Sequence, residues 1–359
     1  MRKSSSLLAV AFVGFLLCVS GGGALAASHT YYEGKTIRII VGFVPGGMLD
    51  LRARLFARHL PKWIPGKPLI IVQNMPGAGG LIAGNYTFVL AKPDGLTLLH
   101  FPATTFMDTF IAGKELGYDI RKISVIWALP DTWLAVINPK TSQVKTAKDL
   151  VHAPVRLAVG GIGADSLRSV RPKLAMNLLG VAHNWVTGYL GSSDLTLALD
   201  RGEIHMYDEP LSGYATFIEP REKEGTAAIL WQTGFLNPDG SIQRAPLIPN
   251  IPTFNEIMPE ERKRGPAWEA WKAALVPQTF QSAVGLAPGV PGDRIDLLSQ
   301  AFRSMTQDPA YREDFQSVVK ISPDAYVGSE ADRLMKAGAK LLFEDYQEGV
   351  RHLQELPKK

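Results

Sequence analysis

Two glycine-rich turns, set at equivalent points of consecutive strand–helix units, constrain this chain more than any other feature. Thr36-Ile-Arg-Ile-Ile-Val-Gly-Phe43 reads as a buried strand and runs into Val44-Pro-Gly-Gly-Met-Leu-Asp50. Leu69-Ile-Ile-Val72 reads as a second strand and runs into Asn74-Met-Pro-Gly-Ala-Gly-Gly80. After the first turn, Leu51, Leu55, Phe56, Leu60 and Trp63 fall on one helical face; after the second, the helix carries Leu81, Ile82, Val89 and Leu90. Leu96-Thr-Leu-Leu99 is a third strand. The βαβαβ order predicts a parallel sheet with right-handed crossovers, and it places both turns on the carboxyl edge, where ligands bind.

Glycine lets backbone N–H groups approach a ligand closely, and a helix N-terminus offers unsatisfied donors at a positive dipole end. Two such turns side by side make an anion cradle. Each turn taken singly reads equally well as a plain reversal of the chain, with Asp50 or Asn74 capping a helix; their repetition favours the functional reading. Neither is a dinucleotide fingerprint or a phosphate loop, because G-x-G-x-x-G and Gly-Lys-Ser/Thr are both absent.

The same grammar recurs in the middle of the chain. Leu134-Ala-Val-Ile137 reads as a strand, Thr146 to His152 as a short helix, and Val155-Arg-Leu-Ala-Val159 as a strand entering Gly160-Gly-Ile-Gly-Ala-Asp-Ser166. Leu167, Val170, Leu174 and Leu178 form an amphipathic stripe and are core. A strand around Asn184-Trp-Val-Thr187 leads into Gly188-Tyr-Leu-Gly-Ser-Ser193, whose serines suit the start of a helix near Asp194. Ile204-His-Met-Tyr207 is a further strand, ending at Asp208-Glu209. The reading is α/β with two lobes facing each other across a cleft.

The N-terminus reads as a signal peptide over residues 1–26: Met1-Arg2-Lys3, an apolar stretch from Leu7 to Val19, and small residues ending Ala24-Leu25-Ala26, with cleavage after Ala26 or Ala27. The expected product is an exported, soluble protein of about 330 residues, long enough for two cores. The single cysteine, Cys18, would leave with the leader, so disulfides, thiol catalysis and cysteine-bound metal are excluded. The formal charge of +4 falls to about +2 without Arg2 and Lys3, and no basic run stands out, which argues against nucleic acid.

The ordered motifs resemble one family. Lys35-Thr-Ile-Arg-Ile-Ile-Val-Gly-Phe-Val-Pro-Gly-Gly-Met-Leu-Asp50, Val72-Gln-Asn-Met-Pro-Gly-Ala-Gly-Gly80 and Ala91-Lys-Pro-Asp-Gly-Leu-Thr-Leu-Leu99 are similar to the substrate-binding proteins of tripartite tricarboxylate transporters, the Bug family. Val186-Thr-Gly-Tyr-Leu-Gly191, Ile251-Pro-Thr-Phe-Asn-Glu256 and Leu286-Ala-Pro-Gly-Val-Pro291 follow in the family's order. The resemblance implies a two-lobed periplasmic binding protein fold of the type II kind, each lobe a mostly parallel sheet flanked by helices. Lobe one would be residues 35–131 and 253–359, and lobe two residues 132–252. It implies capture of a small organic carboxylate between the lobes and delivery to integral membrane subunits, by a monomer without cofactor or metal.

The contacts implied in the first lobe are Phe43, Pro45, Gly46 and Gly47 from the first turn, with Gly77, Ala78 and Gly79 from the second. In the second lobe they are Gly163, Ala164, Ser166, Tyr189, Gly191 and Asp208. The chain departs from the family pattern where Val44 replaces a common Pro and Leu190 a common basic residue. Asp165 and Asp208 add acidic groups; Asp165 reads as a helix cap, and Asp208 as a partner for an amino or hydroxyl group on the ligand.

Other candidates are weak. Trp268 and Trp271, three apart on a helix, read as core, and the charge run Pro259-Glu-Glu-Arg-Lys-Arg264 as a solvated face. None of the seven histidines forms a zinc motif, His205 with Asp208 and Glu209 being the nearest cluster, and no Gly-x-Ser-x-Gly elbow is present. The C-terminal segment from Ser329 to Leu353 reads as one helix lying against lobe one. Two other functions fit the architecture: a periplasmic hydrolase or isomerase acting on an organic acid, and a receptor whose closed form signals to a sensor kinase.

Overall fold

The computed structural model describes residues 31–102, 117–162, 166–237, 239–345 and 347–355; the predicted leader and the predicted contacts Gly163 and Ala164 lie outside them, as does Asp165. The strands are β1 (Thr36–Val41), β2 (Leu69–Asn74), β3 (Thr97–Phe101), β4 (Ser124–Leu129), β5 (Trp133–Ile137), β6 (Leu157–Gly161) and β7 (His183–Thr187), then β8 (Met206–Pro210), β9 (Ala228–Gln232), β10 (Phe235–Leu236), β11 (Ile242–Gln243), β12 (Ser282–Leu286) and β13 (Tyr326–Val327). They form a six-stranded sheet ordered β13-β4-β12-β3-β1-β2, a five-stranded sheet ordered β7-β6-β8-β5-β9, and the hairpin β10-β11.

Both sheets are mixed rather than mostly parallel, within the expected α/β class. In the first, β2, β1 and β3 pair in parallel, while β12 pairs antiparallel with both β3 and β4. In the second, β7, β6 and β8 run parallel and β5 is antiparallel to β8 and β9. The βαβ runs give the parallel halves, and the antiparallel strands enter where the chain passes from one sheet to the other. Ile37, Ile39, Ile40 and Val41 are all buried, as a strand covered on both faces requires.

Helix α1 (Met48–His59) crosses from β1 to β2, with Leu55 and Phe56 in the core. It ends earlier than the apolar spacing suggests: Trp63 sits in a separate short turn and is 39% exposed. Helix α2 (Leu81–Asn85) continues as a wide turn through Tyr86–Leu90. Its packing corrects the expected face. Ile82, Val89 and Leu90 are exposed, while Ala83, Gly84, Thr87 and Phe88 are buried. The approach is close at two of these positions: a Cβ on Gly42 at the end of β1 would meet Ala83 Cβ at 3.2 Å, and one on Gly84 would meet Tyr118 Oη at 2.5 Å.

Around the second sheet stand α3 (Leu167–Leu179) and α4 (Ser192–Asp200). Leu167, Val170 and Leu174 of the predicted stripe are buried. Helix α5 (Pro266–Leu275) buries Trp268 and Trp271 as core residues, Trp271 lying 4.3 Å from the ring of Phe254. Phe254 in turn packs on Trp231 of β9 at 5.2 Å, and Arg262 Nη1 donates to Leu178 O of α3. Residues 253–275, assigned to lobe one by the resemblance, touch elements of the second sheet through these contacts and also pack on the C-terminal segment Gln347–Glu355, where a Cβ on Gly349 would meet Ala270 N at 2.6 Å. Helices α6 (Gly292–Gln307) and α7 (Pro309–Val319) cover the first sheet. The predicted C-terminal helix is two, α8 (Ser329–Lys340) and α9 (Gln347–Glu355), with a wide turn at Leu341–Asp345.

Candidate functional site

The first two glycine turns are neighbours in space. β1 and β2 pair in register from Thr36↔Leu69 to Val41↔Asn74, so both strands end together. A Cβ on Gly42 would stand 2.8 Å from Gly80 Cα, a separation only two backbones can make. The second turn holds four successive residues with positive φ, Gly77 (137°), Ala78 (48°), Gly79 (64°) and Gly80 (97°), which explains its glycine content.

Asp50 fastens this edge. Its buried carboxylate accepts Gly46 N at 2.9 Å, Arg54 Nε at 2.8 Å and Asn74 Nδ2 at 3.0 Å. Asn74 Nδ2 also donates to Phe43 O at 3.0 Å. Asp50 and Asn74 therefore brace one turn against the other, where the sequence offered each as a simple cap. Burial pushes the Asp50 carboxyl up, but the hydrogen bonds from Arg54, Gly46 and Asn74 outweigh it and hold the group below the usual carboxylate range. Gly46 spends its amide on Asp50, which leaves the first amides of α1, from Gly47 onward, as the donors a helix start cannot satisfy internally. Pro45, Gly47, Ala78 and Gly79 are exposed, and Phe43 and Gly77 are half-buried.

On the second sheet, Ser166 caps α3, accepting Arg168 N at 3.3 Å. Tyr189 is half-buried against the core beneath β5 and α4. Gly191 is the residue before α4 and has open space at its α-carbon, and the neighbouring turn is closed by Leu190 N donating to Asp194 Oδ2 at 3.0 Å. Asp208 differs from the other predicted contacts, being buried and paired with Arg171 at 3.5 Å.

Arg168 and Glu209 sit at the centre of this edge, a role sequence reasoning missed. Arg168 Nη2 donates to Glu209 Oε2 at 2.6 Å and Ser192 Oγ at 3.0 Å, and its Nε to Asp208 O at 3.1 Å. Ser192 Oγ donates to Glu209 Oε1 at 2.8 Å. Ser192 thus serves Glu209 and not the start of α4. Arg171 and Arg168 lie 4.2 and 5.6 Å from the Trp133 ring centroid, a cation–π arrangement. Burial raises the Glu209 carboxyl to about 7 against the opposing pull of Arg168, and raises Asp208 to about 6 against Arg171. The available signal was the spacing of Arg168 and Arg171, which places both on one face of α3 towards the acidic end of β8. His205 Nδ1 accepts Ala158 N at 2.8 Å, and no group of acidic, histidine or cysteine side chains suited to a metal occurs among the described residues.

Between the sheets the chain is tied by short polar contacts. Thr132 Oγ1 and Thr233 Oγ1 are 3.1 Å apart, Gly234 N donates to Thr132 Oγ1 at 3.0 Å, and Asp131 N donates to Gln278 O at 3.0 Å. Asp131 is buried, and burial lifts its carboxyl to about 6 despite Ser212 and Arg52.

The model of the family described as tripartite tricarboxylate transporter family receptor matches residues 53–336. The protein BugT of Bordetella pertussis is 40% identical over 339 residues, covering 91% of this chain and 94% of that protein. A solute-binding protein of the same family from Polaromonas superposes with a TM-score of 0.66 at 19% identity, over 89% of this chain and 99% of that one. MatC from Rhodopseudomonas palustris, solved with bound malate, has a TM-score of 0.57 at 20% identity, over 90% of this chain and 98% of that one. Receptors of this kind are periplasmic solute-binding proteins rather than enzymes. With the match running through both sheets and across nearly the whole of BugT, the chain belongs to the tripartite tricarboxylate transporter receptor family.

Proposed function

We propose that this receptor binds a small organic carboxylate between two lobes, each built on one of the sheets, and passes it to the membrane subunits of its transporter. The observation that carries the reading is the backbone contact of Gly42 with Gly80, which gathers two glycine turns beside the first amides of α1. Amides held in place stabilise an anion without the reorganisation that a flexible lysine would need. Malate in MatC, a protein of the same fold, agrees with a carboxylate ligand. In this reading Phe43, Pro45, Gly47, Gly77, Ala78 and Gly79 meet the ligand from the first lobe, and Ser166, Tyr189 and Gly191 from the second. Asp208 supports that edge from beneath through Arg171. Closure follows because a ligand touching both lobes favours the closed state.

The chain acts as an exported monomer after removal of residues 1–26. The second lobe includes the 253–275 segment, which packs with β9 and α3. Thermal denaturation of ligand-stripped protein against a panel of organic acids tests the function. One acid should raise Tm by several degrees without being converted. Conversion of the acid, or no shift with any member of the panel, would overturn the reading. Native mass spectrometry of freshly purified protein should show a retained acid.

A further inference from the structure

Each of the three described glycine turns presents an aliphatic side chain to solvent. Val44 in the first turn is 63% exposed, Ile82 over the second is 50% exposed, and Leu190 in the β7–α4 turn is 92% exposed. Ile82 leans on its own turn, where a Cβ on Gly77 would meet Ile82 Cδ1 at 2.5 Å. Single exposed leucines are ordinary on protein surfaces. Three in the three turns that gather amides are a pattern, and such exposure contributes nothing to the folded state.

Charge at the same turns is the second observation. Residues 43–50, 74–82 and 188–194 contain no lysine or arginine and do contain Asp50 and Asp194. The arginines bonded to these turns are engaged by acids: Arg54 with Asp50, and Arg168 with Glu209. Backbone amides at one end can hold one carboxylate. A second carboxylate, moved out of water on closure against these turns, would meet aliphatic surface and no lysine or arginine belonging to the turns themselves, an unfavourable exchange.

We infer that the ligand carries a single carboxylate on an apolar body, and that Val44, Ile82 and Leu190 are the specificity-determining side chains that cover that body when the lobes close. The inference rests on the carboxylate reading of this site.

Isothermal titration of ligand-stripped protein with a panel of apolar monocarboxylates, including phenylacetate and 4-methylpentanoate, and of dicarboxylates, including succinate and adipate, tests it. The monocarboxylates should bind at least about tenfold more tightly, the gain expected from burying one aliphatic contact. Leu190→Lys, an exposed position where Tm should not move, should cut that preference about tenfold or reverse it. A wild-type preference for dicarboxylates, or a preference unmoved by Leu190→Lys, would overturn the inference and leave the carboxylate reading standing. Failure of both classes to bind the folded protein would instead overturn the carboxylate reading on which it rests.

Discussion

Asn74 Nδ2 lies 3.0 Å from Asp50 Oδ1 and 3.0 Å from Phe43 O, so one amide group joins the end of β2 to the turn after β1. The two halves of the proposed cradle are held at a set distance by this side chain. Asn74→Ala should cost about 1 kcal/mol, the usual net worth of a hydrogen bond, because Asp50 Oδ1 still accepts from Arg54 Nη2 at 3.0 Å. It should also weaken ligand binding more than a neutral surface substitution of equal stability cost. Chemical denaturation and calorimetric titration on the same samples separate the two effects.

A like charge in the cradle is the direct test of where the anion sits. A Cβ on Gly79 would meet nothing within 4 Å, but φ is +64°, so any side chain there costs about 1 kcal/mol. Gly79→Ala should lose that stability and keep most of its affinity. Gly79→Asp should lose about the same stability and at least tenfold in affinity for an acid. Equal affinities for the two variants would place the anion elsewhere.

The buried acids set an unusual pH response. Burial above all raises Glu209 from 4.5 to about 7, and Asp131 and Asp208 from 3.8 to about 6. A carboxyl whose folded pKa is raised holds its proton more firmly in the folded chain. Its contribution is therefore favourable at low pH and is lost as pH rises from the unfolded value through the folded one. For Glu209 that window runs from 4.5 to about 7. Asp50 acts in the opposite sense, because its lowered pKa gives stability that disappears as pH falls below the ordinary aspartate range. Maximum stability is expected in mildly acidic solution. Glu209→Gln should flatten the decline between pH 5 and 8 by up to about 3 kcal/mol, read from denaturation midpoints across that range.

Removing the partner of that carboxylate should be severe. Arg168 contacts Glu209, Ser192 and the Asp208 carbonyl at once, and Glu209 is fully buried. Arg168→Ala should lose about 3–5 kcal/mol, as expected when one member of a buried ion pair is deleted. The loss should be larger at pH 8 than at pH 5.5, where Glu209 can take a proton instead. A loss independent of pH would mean that Arg168 acts by packing on Trp133 and not by charge.

The glycine turns were legible in the sequence because glycine takes up the positive φ of positions 77, 79 and 80 at least cost and alone permits the backbone approach at Gly42. The strands were legible for a related reason, since burial on both faces demands runs such as Ile39-Ile40-Val41. The orientation of α2 was not. Its buried face pairs the small Ala83, Gly84 and Thr87, which allow a close approach, with one large residue, Phe88, while Ile82, Val89 and Leu90 face outward. Apolar spacing reports burial only where bulk fills the space. The Arg168–Glu209 pair was missed because its members stand 41 residues apart, and the spacing of Arg168 and Arg171 marks a basic helix face without naming its acidic partner.

The aromatic contact of Trp231, Phe254 and Trp271 belongs to a continuous apolar cluster that includes Phe101 and Ala128 of the first sheet and Val159 and Leu174 beside the second. The sheets are therefore not interchangeable cassettes. A chimera made by exchanging only residues 132–252 with a relative would part Trp231 from the Phe254 and Trp271 it was shaped against. An exchange that keeps those aromatic contacts together has to carry the 253–275 segment, and then has to accommodate Gly349 of α9, whose backbone closely approaches Glu269 and Ala270.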